Sequence, residues 1–307
     1  MNADLSRVKP NSLSNPFRAF KPKEWWSSGF HDPETNSWLD FSFHRSARQD
    51  RFQILLFQPG TGKTQIQHWK GRFGRPEVDD QIRLEAVQTG FCARLQRHDD
   101  GLARFEFSTS GWEIDLEIRS TLAPWRSGDR QFEASYDLHQ RFQLLATGRI
   151  TSPEGNLELV HAPGHSEHSW ATMPRQCRWH RLVAQNDKFC LDSLVGVGAF
   201  ANSFTTVMDI ETDPWRCIRL NPDVRLRNSK GFEWEGPWRL ESSELEMNIE
   251  LIQVATCQNV FPPLVPLGEN TLQTKAFVRA TGRARIDGIW HNTGEMHGVF
   301  EEQSGYW

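Results

Sequence analysis

The sequence predicts an all-β protein, folded as a sandwich or a barrel. Segments of strand length, either wholly apolar or alternating apolar with polar residues, recur along the chain and are separated by turns rich in Gly, Pro and Asp. No stretch before residue 160 shows a sustained helical period. Many short strands at regular spacing are typical of all-β sandwiches and barrels.

Predicted strands follow one another through both halves of the chain, after an N-terminal arm over residues 1–22. In the first half they cover residues 38–43, 51–57, 91–95, 103–108, 112–118, 142–146 and 157–161. In the second half they cover residues 189–192, 203–210, 217–220, 233–240, 246–253, 274–280 and 296–301.

A short internal repeat predicts that the two halves are related. The tetrapeptide Ala-Thr-Gly-Arg occurs at residues 146–149 and again at 280–283. We therefore expect a first β-barrel over residues 23–160 and a second over residues 161–307, with the junction near the middle of the chain.

Net charge, hydropathy and cysteine content disfavour several classes of partner and of protein. The 307 residues carry a formal net charge of -4 at pH 7, and the pI is about 6.3, so the chain lacks the basic excess that drives binding to nucleic acid or anionic lipid. No apolar run reaches membrane-spanning or secretory length. The five cysteines are odd in number and widely spaced, which disfavours a disulfide framework. We expect a soluble, cytoplasmic protein with no integral membrane segment and no nucleic-acid partner.

Tryptophan is unusually abundant, with 13 residues against two tyrosines. Indoles bury large apolar areas on stiff side chains, which suits either the core of a wide β-structure or the wall of an apolar pocket.

Gly62-Lys63-Thr64 resembles the end of a phosphate-binding loop, but the rest of that motif is missing. The motif requires a glycine where Phe57 stands, and residues 65–69 alternate like a strand instead of opening a helix. The segment is therefore interpreted as a hairpin turn.

The densest group of reactive side chains lies in the segment 164–170, which contains His165, Glu167, His168 and Trp170. Together with His161 and His180 these histidines could ligate a metal, but Pro163 and Gly164 interrupt any regular element that would align them. Hydrogen-bonding or acid–base roles are favoured over a metal site.

Glu167 is the leading candidate for chemistry in this segment. A carboxyl group held among indoles loses the hydration of its charged form, which would let it stay protonated near neutrality and act as a general acid. His168 could orient Glu167 or share its proton. The alternative is a solvated loop of ordinary polar residues.

Three separated pieces of the chain resemble the hydroxyneurosporene synthase (carotenoid 1,2-hydratase) and AttH-like family. Residues 24–26, Glu-Trp-Trp, and the segment 32–38 are similar to the family's opening Glu-Trp-Trp and first hairpin. Residues 164–170 are similar to Gly-Tyr-His-Asp-His-Asn-Trp-Gly, and residues 179–181 to the Trp-Gly-Arg that follows. Gly294, Gly298 and residues 302–306 are similar to the pattern that closes the family's sequences.

The match departs from the family at several positions. Glu167 stands where the family has aspartate, while His168 and Trp170 agree with the motif. Ser166 replaces the first motif histidine and Ala171 the final glycine.

The resemblance implies two tandem lipocalin-like β-barrels and a cofactor-independent enzyme of the lyase or isomerase type. Its substrate would be a large hydrophobic polyene, namely a terpenoid, carotenoid or polyketide. Glu167 and His168 would be catalytic in an acid-initiated hydration or cyclisation of a carbon–carbon double bond. The side chains expected to bind this substrate are Trp25, Trp26, His165, Trp170, Trp179 and Arg181.

Two alternatives stay open from the sequence. The first is a Diels–Alder type pericyclase, in which an apolar wall that includes Trp25, Trp26, Trp170 and Trp179 would hold a folded conformer of the substrate. The second is a non-catalytic binder of lipids or pigments.

Overall fold

The structure is a computed structural model. It describes residues 21–46, 50–61, 63–71, 83–88, 90–97, 101–120, 122, 125–131, 134–173, 176–197, 203–210, 217–220, 225–228, 234, 236–259 and 270–306. The predicted N-terminal arm lies outside these residues except for Lys21 and Pro22, which open the first strand.

The first half of the chain forms one sheet of 11 antiparallel strands in the order β4-β3-β2-β1-β11-β10-β8-β7-β6-β5, with β9 paired to β10. The strands are β1 (Lys21–Asp32), β2 (Ser37–Ser46), β3 (Asp50–Gln58), β4 (Lys63–Gly71), β5 (Arg83–Gln88), β6 (Phe91–Arg97), β7 (Leu102–Thr109), β8 (Trp112–Ser120), β9 (Trp125–Gln131), β10 (Ala134–Ser152) and β11 (Gly155–Met173).

The second half forms a sheet of nine antiparallel strands in the order β15-β14-β13-β12-β20-β19-β18-β17-β16. The strands are β12 (Gln176–Gln185), β13 (Phe189–Val197), β14 (Ser203–Asp209), β15 (Cys217–Arg219), β16 (Arg225–Asn228), β17 (Trp238–Glu241), β18 (Leu245–Asn259), β19 (Asn270–Ile286) and β20 (Ile289–Tyr306).

The all-β prediction is confirmed, and its physical origin is visible in single strands. In β8 the side chains alternate strictly between buried and exposed from Trp112 to Ile118, because successive residues of a strand point to opposite faces. Each sheet curls around its own apolar core: Phe41, Phe105 and Leu116 belong to the first core, and Trp238 and Phe300 to the second.

The boundary predicted after residue 160 falls inside β11. This strand pairs with β1 as far as Met173 and therefore belongs to the first sheet, while β12 opens the second sheet at Gln176. The described part of the first sheet thus extends to Met173, beyond the predicted boundary. The sequence pointed to an earlier boundary because the first copy of the tetrapeptide repeat, at residues 146–149, lies near the end of the predicted first half. In the structure, Pro163 and Gly164 stay paired within a strand of the first sheet.

The tetrapeptide repeat occupies equivalent places in the two sheets. Gly148 of β10 pairs with Leu116, and Gly282 of β19 pairs with Met247. A Cβ atom on Gly148 would lie 2.1 Å from the carbonyl oxygen of Asp115, and one on Gly282 would lie 2.0 Å from that of Glu246. Both glycines let two strand backbones approach closely next to a shift in register.

The two sheets pack against each other through two apolar clusters. In one, Trp38, Leu55 and Phe57 of the first sheet meet Ala255, Phe277 and Val299 of the second. In the other, Phe142 of the first sheet meets Val183, Cys190 and Met208 of the second. The clusters flank a polar zone that contains several of the predicted site residues.

Three further expectations can be compared with the structure. The segment resembling a phosphate-binding loop is a hairpin turn, as predicted: Thr61 N donates to Gln58 O at 3.0 Å and β3 pairs with β4. Two cysteine side chains are described: Cys92 is partly buried, and Cys190 is buried with its sulfur 3.6 Å from Gln143 Nε2. Within the described ranges, no helix is long and apolar enough to cross a membrane.

Replacing Gly282 by alanine should destabilise the second barrel. The added methyl group would meet the Glu246 carbonyl oxygen and the Met247 sulfur, so β18 and β19 must move apart locally. We expect the free energy of unfolding to fall by about 1–3 kcal/mol. The matched control is Gly60→Ala, because no atom lies within 4 Å of that Cβ position, and its effect should stay within about 0.5 kcal/mol. Urea unfolding measures both variants, and equal stabilities would contradict the close approach.

Candidate active site between the two barrels

The register of β1 and β11 divides the predicted site residues into two sets on opposite faces. Trp26 lies opposite His168, and their rings stack with centroids 4.7 Å apart inside the first barrel. Trp25, His165 and Glu167 point to the other face, toward the second barrel. Neighbouring residues of a strand alternate between faces, so the proposed sharing of a proton between Glu167 and His168 does not occur.

His168 has its own partners within the first barrel. Its Nε2 lies 3.0 Å from Glu24 Oε1, and Glu24 also pairs with Arg45 at 3.8 Å. The Arg45 guanidinium lies over the Trp26 ring, 5.7 Å from its centroid. These contacts fix the imidazole far from the face that carries Glu167.

Arg181 is the centre of a buried ion cluster that joins the two sheets. From β12 it donates through Nε and Nη2 to both carboxylate oxygens of Asp192, at 2.9 and 2.8 Å. Its Nη1 donates to Glu167 Oε2, and its Nη2 also donates to Gln140 Oε1 at 3.2 Å. A planar guanidinium can serve these acceptors at once because its donors form a rigid fork.

The carboxylate of Glu167 is held from three directions. Besides Arg181, the half-buried indole of Trp25 donates its Nε1 hydrogen to Glu167 Oε1. The hydroxyl of Ser169 donates to the same oxygen at 3.3 Å. Three of the predicted residues, Trp25, Glu167 and Arg181, therefore meet in one cluster, as partners of one another.

A second ion cluster lies beside the first. Lys275 of β19 contacts Asp40 Oδ1 of β2 at 2.7 Å and lies 3.8 Å from Glu301 Oε2. Gln273 Nε2 donates to Glu301 Oε1 at 2.7 Å. Asp40 and Lys275 are buried and belong to different sheets, so this pair also ties the barrels together.

Carboxyl groups outnumber cations in this polar zone. Among the residues that the structure describes, the four carboxyl groups of Asp40, Glu167, Asp192 and Glu301 pair with the two cations Arg181 and Lys275. Burial raises the pKa of Asp40, Asp192 and Glu301, and the adjacent cations offset only part of that effect. Burial alone would lower the pKa of Lys275, but the neighbouring carboxylates outweigh it and raise that pKa. The zone therefore favours holding protons.

His165 lies at the edge of the polar zone, directly opposite Gly29 on β1. A Cβ atom at Gly29 would come within 2.9 Å of the imidazole, so the glycine makes room for the ring. Burial, and then the positive charges of Arg181 and Lys275, lower the pKa of His165 to about 3. The imidazole is neutral at physiological pH.

A cavity of about 330 Å³ opens between the barrels on the far side of His165. The side chains that matter for its chemistry are His31, Trp38, Leu145, His165, His297 and Val299. Gln185 braces its wall: its side chain accepts from Gln143 N at 3.0 Å and donates to Gly164 O at 2.6 Å. Gln143 sits at a bulge of β10 with a φ of 55°, where the ladder leaves backbone groups to be satisfied by side chains.

Three aromatic rings form one wall of this cavity. The rings of His31 and His297 stack with centroids 4.1 Å apart, and Trp38 lies 4.1 Å from His31. Burial lowers the pKa of His31 to about 4 and also lowers that of His297. The two stacked imidazoles are therefore neutral near pH 7, which removes the repulsion of two adjacent cations.

Only some of the substrate-binding residues predicted from the sequence line the cavity. Of the predicted substrate-binding residues, His165 lines it, whereas Trp25 and Arg181 lie behind it in the ion cluster. Trp179 is buried on the same face of β12 as Arg181. The side chain of Trp170 lies outside the described residues.

No motif in the sequence marked His31, Trp38 and His297 as functional side chains. The only available signal was that residues 31–38 overlap the first family-like piece and that His297 lies between Gly294 and Gly298. Among the residues described, no group of three or more His, Cys, Asp or Glu side chains is arranged to hold a metal ion.

Comparison with known proteins shows the fold. No protein-family model and no curated protein matches the chain. Among solved structures, a protein provisionally named AttH from Nitrosomonas europaea superposes with a TM-score of 0.69 at 14% identity, over 98% of each chain. Kievitone hydratase from Nectria haematococca superposes with a TM-score of 0.63 at 12% identity, over 98% of this chain and 92% of the other. The predicted pair of tandem lipocalin-like barrels is thereby confirmed.

Removing the central cation should be costly. Arg181→Met would leave Glu167 and Asp192 buried without their shared partner, and we expect the free energy of unfolding to fall by about 3–5 kcal/mol. Arg104→Met is the matched control, because Arg104 makes a similar two-pronged contact with Asp115 at the surface, where water screens the charges. Chemical unfolding gives the loss of unfolding free energy in each variant. Equal losses in Arg181→Met and Arg104→Met would contradict a role of Arg181 in holding the two barrels together.

His165 should impose a dependence of stability on pH. Its pKa is about 3 in the folded protein and about 6.5 in an unfolded chain, so the unfolded state binds more protons between these values. Stability from the neutral imidazole is complete above about pH 6.5 and declines on acidification, with a slope of up to about 1.4 kcal/mol per pH unit.

The variant His165→Gln isolates this contribution. Between pH 7.5 and 4.5 we expect the variant to lose less unfolding free energy than the unsubstituted protein, measured by urea unfolding at each pH. At pH 7.5 the His165 imidazole is neutral in both the folded and the unfolded state. The difference in unfolding free energy between the variant and the unsubstituted protein at that pH therefore reports packing alone. A difference that is constant across the range would contradict the assignment.

Proposed function

We propose that the protein is a cofactor-independent enzyme that adds water to, or cyclises at, a carbon–carbon double bond of a large hydrophobic polyene. The observation that carries the proposal is the cavity between the barrels, which combines apolar walls with an imidazole backed by a proton-holding polar zone. The shared fold with kievitone hydratase supports a hydratase type of activity.

The cavity suits an apolar ligand with few polar groups. Its volume of about 330 Å³ lies within the range of small-molecule sites, and Leu145, Trp38 and Val299 contribute apolar wall. Burial of apolar ligand surface there contributes about 25 cal/mol per Å². The substrate class inferred from the sequence, a terpenoid, carotenoid or polyketide, fits this lining.

Hydration would begin with proton transfer to one alkene carbon. In the proposed path, the proton comes from the excess carboxyl groups of the polar zone, with Glu167 as the candidate donor group. His165 passes this proton to the substrate, because its side chain lies next to the polar zone and also lines the cavity. An imidazolium between Arg181 and Lys275 is disfavoured, so it gives up its proton readily.

Water would complete the reaction. The protonated alkene leaves a carbocation at the more substituted carbon, and an aromatic face in contact with it would stabilise it by about 1–2 kcal/mol. Attack of water forms the carbon–oxygen bond, and the proton that water releases returns to the carboxyl groups. The atoms balance as alkene plus water giving alcohol.

A pericyclic cyclisation is the second candidate. It is favoured by the position of Glu167, whose carboxylate is occupied by Trp25, Ser169 and Arg181 and does not line the cavity. In that case the apolar wall would hold the substrate in a folded conformer and no proton would be transferred.

Isotope labelling separates these reactions. A panel of prenylated phenols, linear terpenoids and conjugated polyenes is incubated with the protein in H₂¹⁸O and in D₂O, and products are identified by mass spectrometry. Hydration predicts one ¹⁸O atom and one carbon-bound deuterium. Acid-initiated cyclisation predicts deuterium without ¹⁸O, and a pericyclic reaction predicts neither. Recovery of every compound unchanged would contradict the proposed enzymatic activity. The non-catalytic binder of hydrophobic molecules would then be the remaining alternative.

Variants of the two predicted proton carriers provide the kinetic test. His165→Gln should lower turnover of the compound found in that panel by at least about 100-fold while its binding persists. Glu167→Gln keeps an acceptor for Arg181 and should also lower turnover without unfolding the protein. His291→Gln, on β20 outside the cavity, is the control. Unchanged turnover in both test variants would contradict acid catalysis and favour the pericyclic reaction.

A further inference from the structure

Three amide side chains in the wall of the cavity between the barrels are engaged with the protein itself. Gln185 accepts from Gln143 N and donates to Gly164 O, and the Gln143 side chain donates to Asn186 O at 2.6 Å. The Asn186 side chain donates to two carbonyl oxygens of β20 and accepts from two backbone amides, at distances between 2.7 and 3.0 Å. These amides therefore hold the wall together, and the buried imidazoles are the remaining polar groups to consider.

The buried rings of this wall differ in whether a small molecule can reach their nitrogen atoms. Nε1 of Trp38 and Nδ1 of His297 are sealed by surrounding atoms, and His297 Nε2 lies 3.2 Å from Glu295. Nδ1 of His31, in contrast, has no hydrogen-bond partner among the described residues and is not one of the sealed atoms. Because the His31 side chain lines the cavity, this nitrogen is accessible from it.

The partner of the other ring nitrogen decides what His31 Nδ1 can do. Nε2 lies 2.9 Å from Asn36 Oδ1, an amide oxygen that only accepts, so Nε2 carries the hydrogen of the neutral ring. Burial lowers the pKa of His31 to about 4, which leaves the imidazole neutral near pH 7. Nδ1 therefore presents a lone pair to the cavity and accepts a hydrogen bond there.

His31 is also well placed relative to His165. Gly29 of β1 lies directly opposite His165 of β11, and His31 follows Gly29 by two residues. It therefore lies on the same face of the sheet, about 7 Å further along the strand. Both imidazoles line the same cavity. An alkene beside His165 has room for a water molecule on its His31 side, so that protonation and attack of water occur at neighbouring carbons.

We propose that His31 is a further catalytic residue, which binds the attacking water molecule through Nδ1 and directs the water oxygen at the carbocation. This inference rests on the proposed function in its hydration form, and it supplies the water-binding group of that reaction. When the carbon–oxygen bond has formed, the oxonium ion releases a proton to Nδ1, and that proton returns to the carboxyl groups of the polar zone. One alkene and one water are consumed, and the protonation of the protein is restored.

The variant His31→Phe keeps an aromatic ring in the stack but removes the acceptor. With the compound hydrated in the labelling panel, we expect the yield of ¹⁸O-labelled alcohol to fall about tenfold, the effect of one lost hydrogen bond. Deuterium should still enter carbon, in cyclised or isomerised products, because the proton donor is intact. His165→Gln should instead lower both labels together. The control is His180→Phe, which removes a buried imidazole stacked on Phe300 in the second barrel and should change neither label.

Nitrogen-15 NMR of the histidine rings tests the assigned tautomer without turnover. We expect His31 to carry its hydrogen on Nε2 at pH 7.5. Asn36→Gly removes the acceptor at an exposed turn and tolerates the φ of 53° found there, so the fold should persist. In that variant His31 should become a mixture of tautomers, and the yield of ¹⁸O-labelled alcohol should fall. A hydrogen on Nδ1 in the unsubstituted protein would overturn the inference.

The labels also distinguish failure of this inference from failure of the proposed function. Equal ¹⁸O yields from His31→Phe and the unsubstituted protein would overturn the role of His31 alone. Deuterium without ¹⁸O in the unsubstituted protein would also overturn it, while acid-initiated cyclisation would stand. Products with neither label would overturn it in favour of the pericyclic reaction. Recovery of every compound unchanged would overturn the proposed function, and the catalytic role of His31 with it.

Discussion

Burial of ionisable groups between two barrels is the constraint on which the rest of the structure depends. Arg181 and Lys275 carry positive charge into an interface that four carboxyl groups share, and each cation is useful only while both sheets are in place. Removing one partner would leave uncompensated charge in a medium that solvates it poorly. The polar zone therefore fixes how the barrels meet, while the flanking apolar clusters supply the favourable burial.

The same arrangement prepares the cavity. Burial, reinforced by the cations behind the ring, lowers the pKa of His165 and keeps its imidazole neutral. Gly29 gives the ring space, and Gln185 satisfies the irregular backbone beside it. The residues that hold the barrels together thus also set the protonation of the imidazole that lines the cavity.

Much of the architecture could be read from periodicity. The strict alternation in β8 and the apolar run in β3 identified strands correctly, since each reflects burial of one or both faces. Strand β1 was missed because Ser27, Ser28 and Gly29 interrupt its pattern, although Gly29 is what leaves space for the His165 ring. The end of the first barrel was misplaced because the repeat at residues 146–149 indicated an earlier close of the first half, whereas Pro163 and Gly164 lie within a paired strand of the first sheet.

The sequence by itself determined the all-β class, the two related halves and the concentration of reactive groups around Glu167. Only the tertiary structure decided what those groups do, because alternation on β11 sends His168 into one barrel and Glu167 toward the other. The cavity pairs Trp38 with His297, residues that the chain separates by most of its length. Such a pairing follows from sheet packing, and no local pattern of residues encodes it.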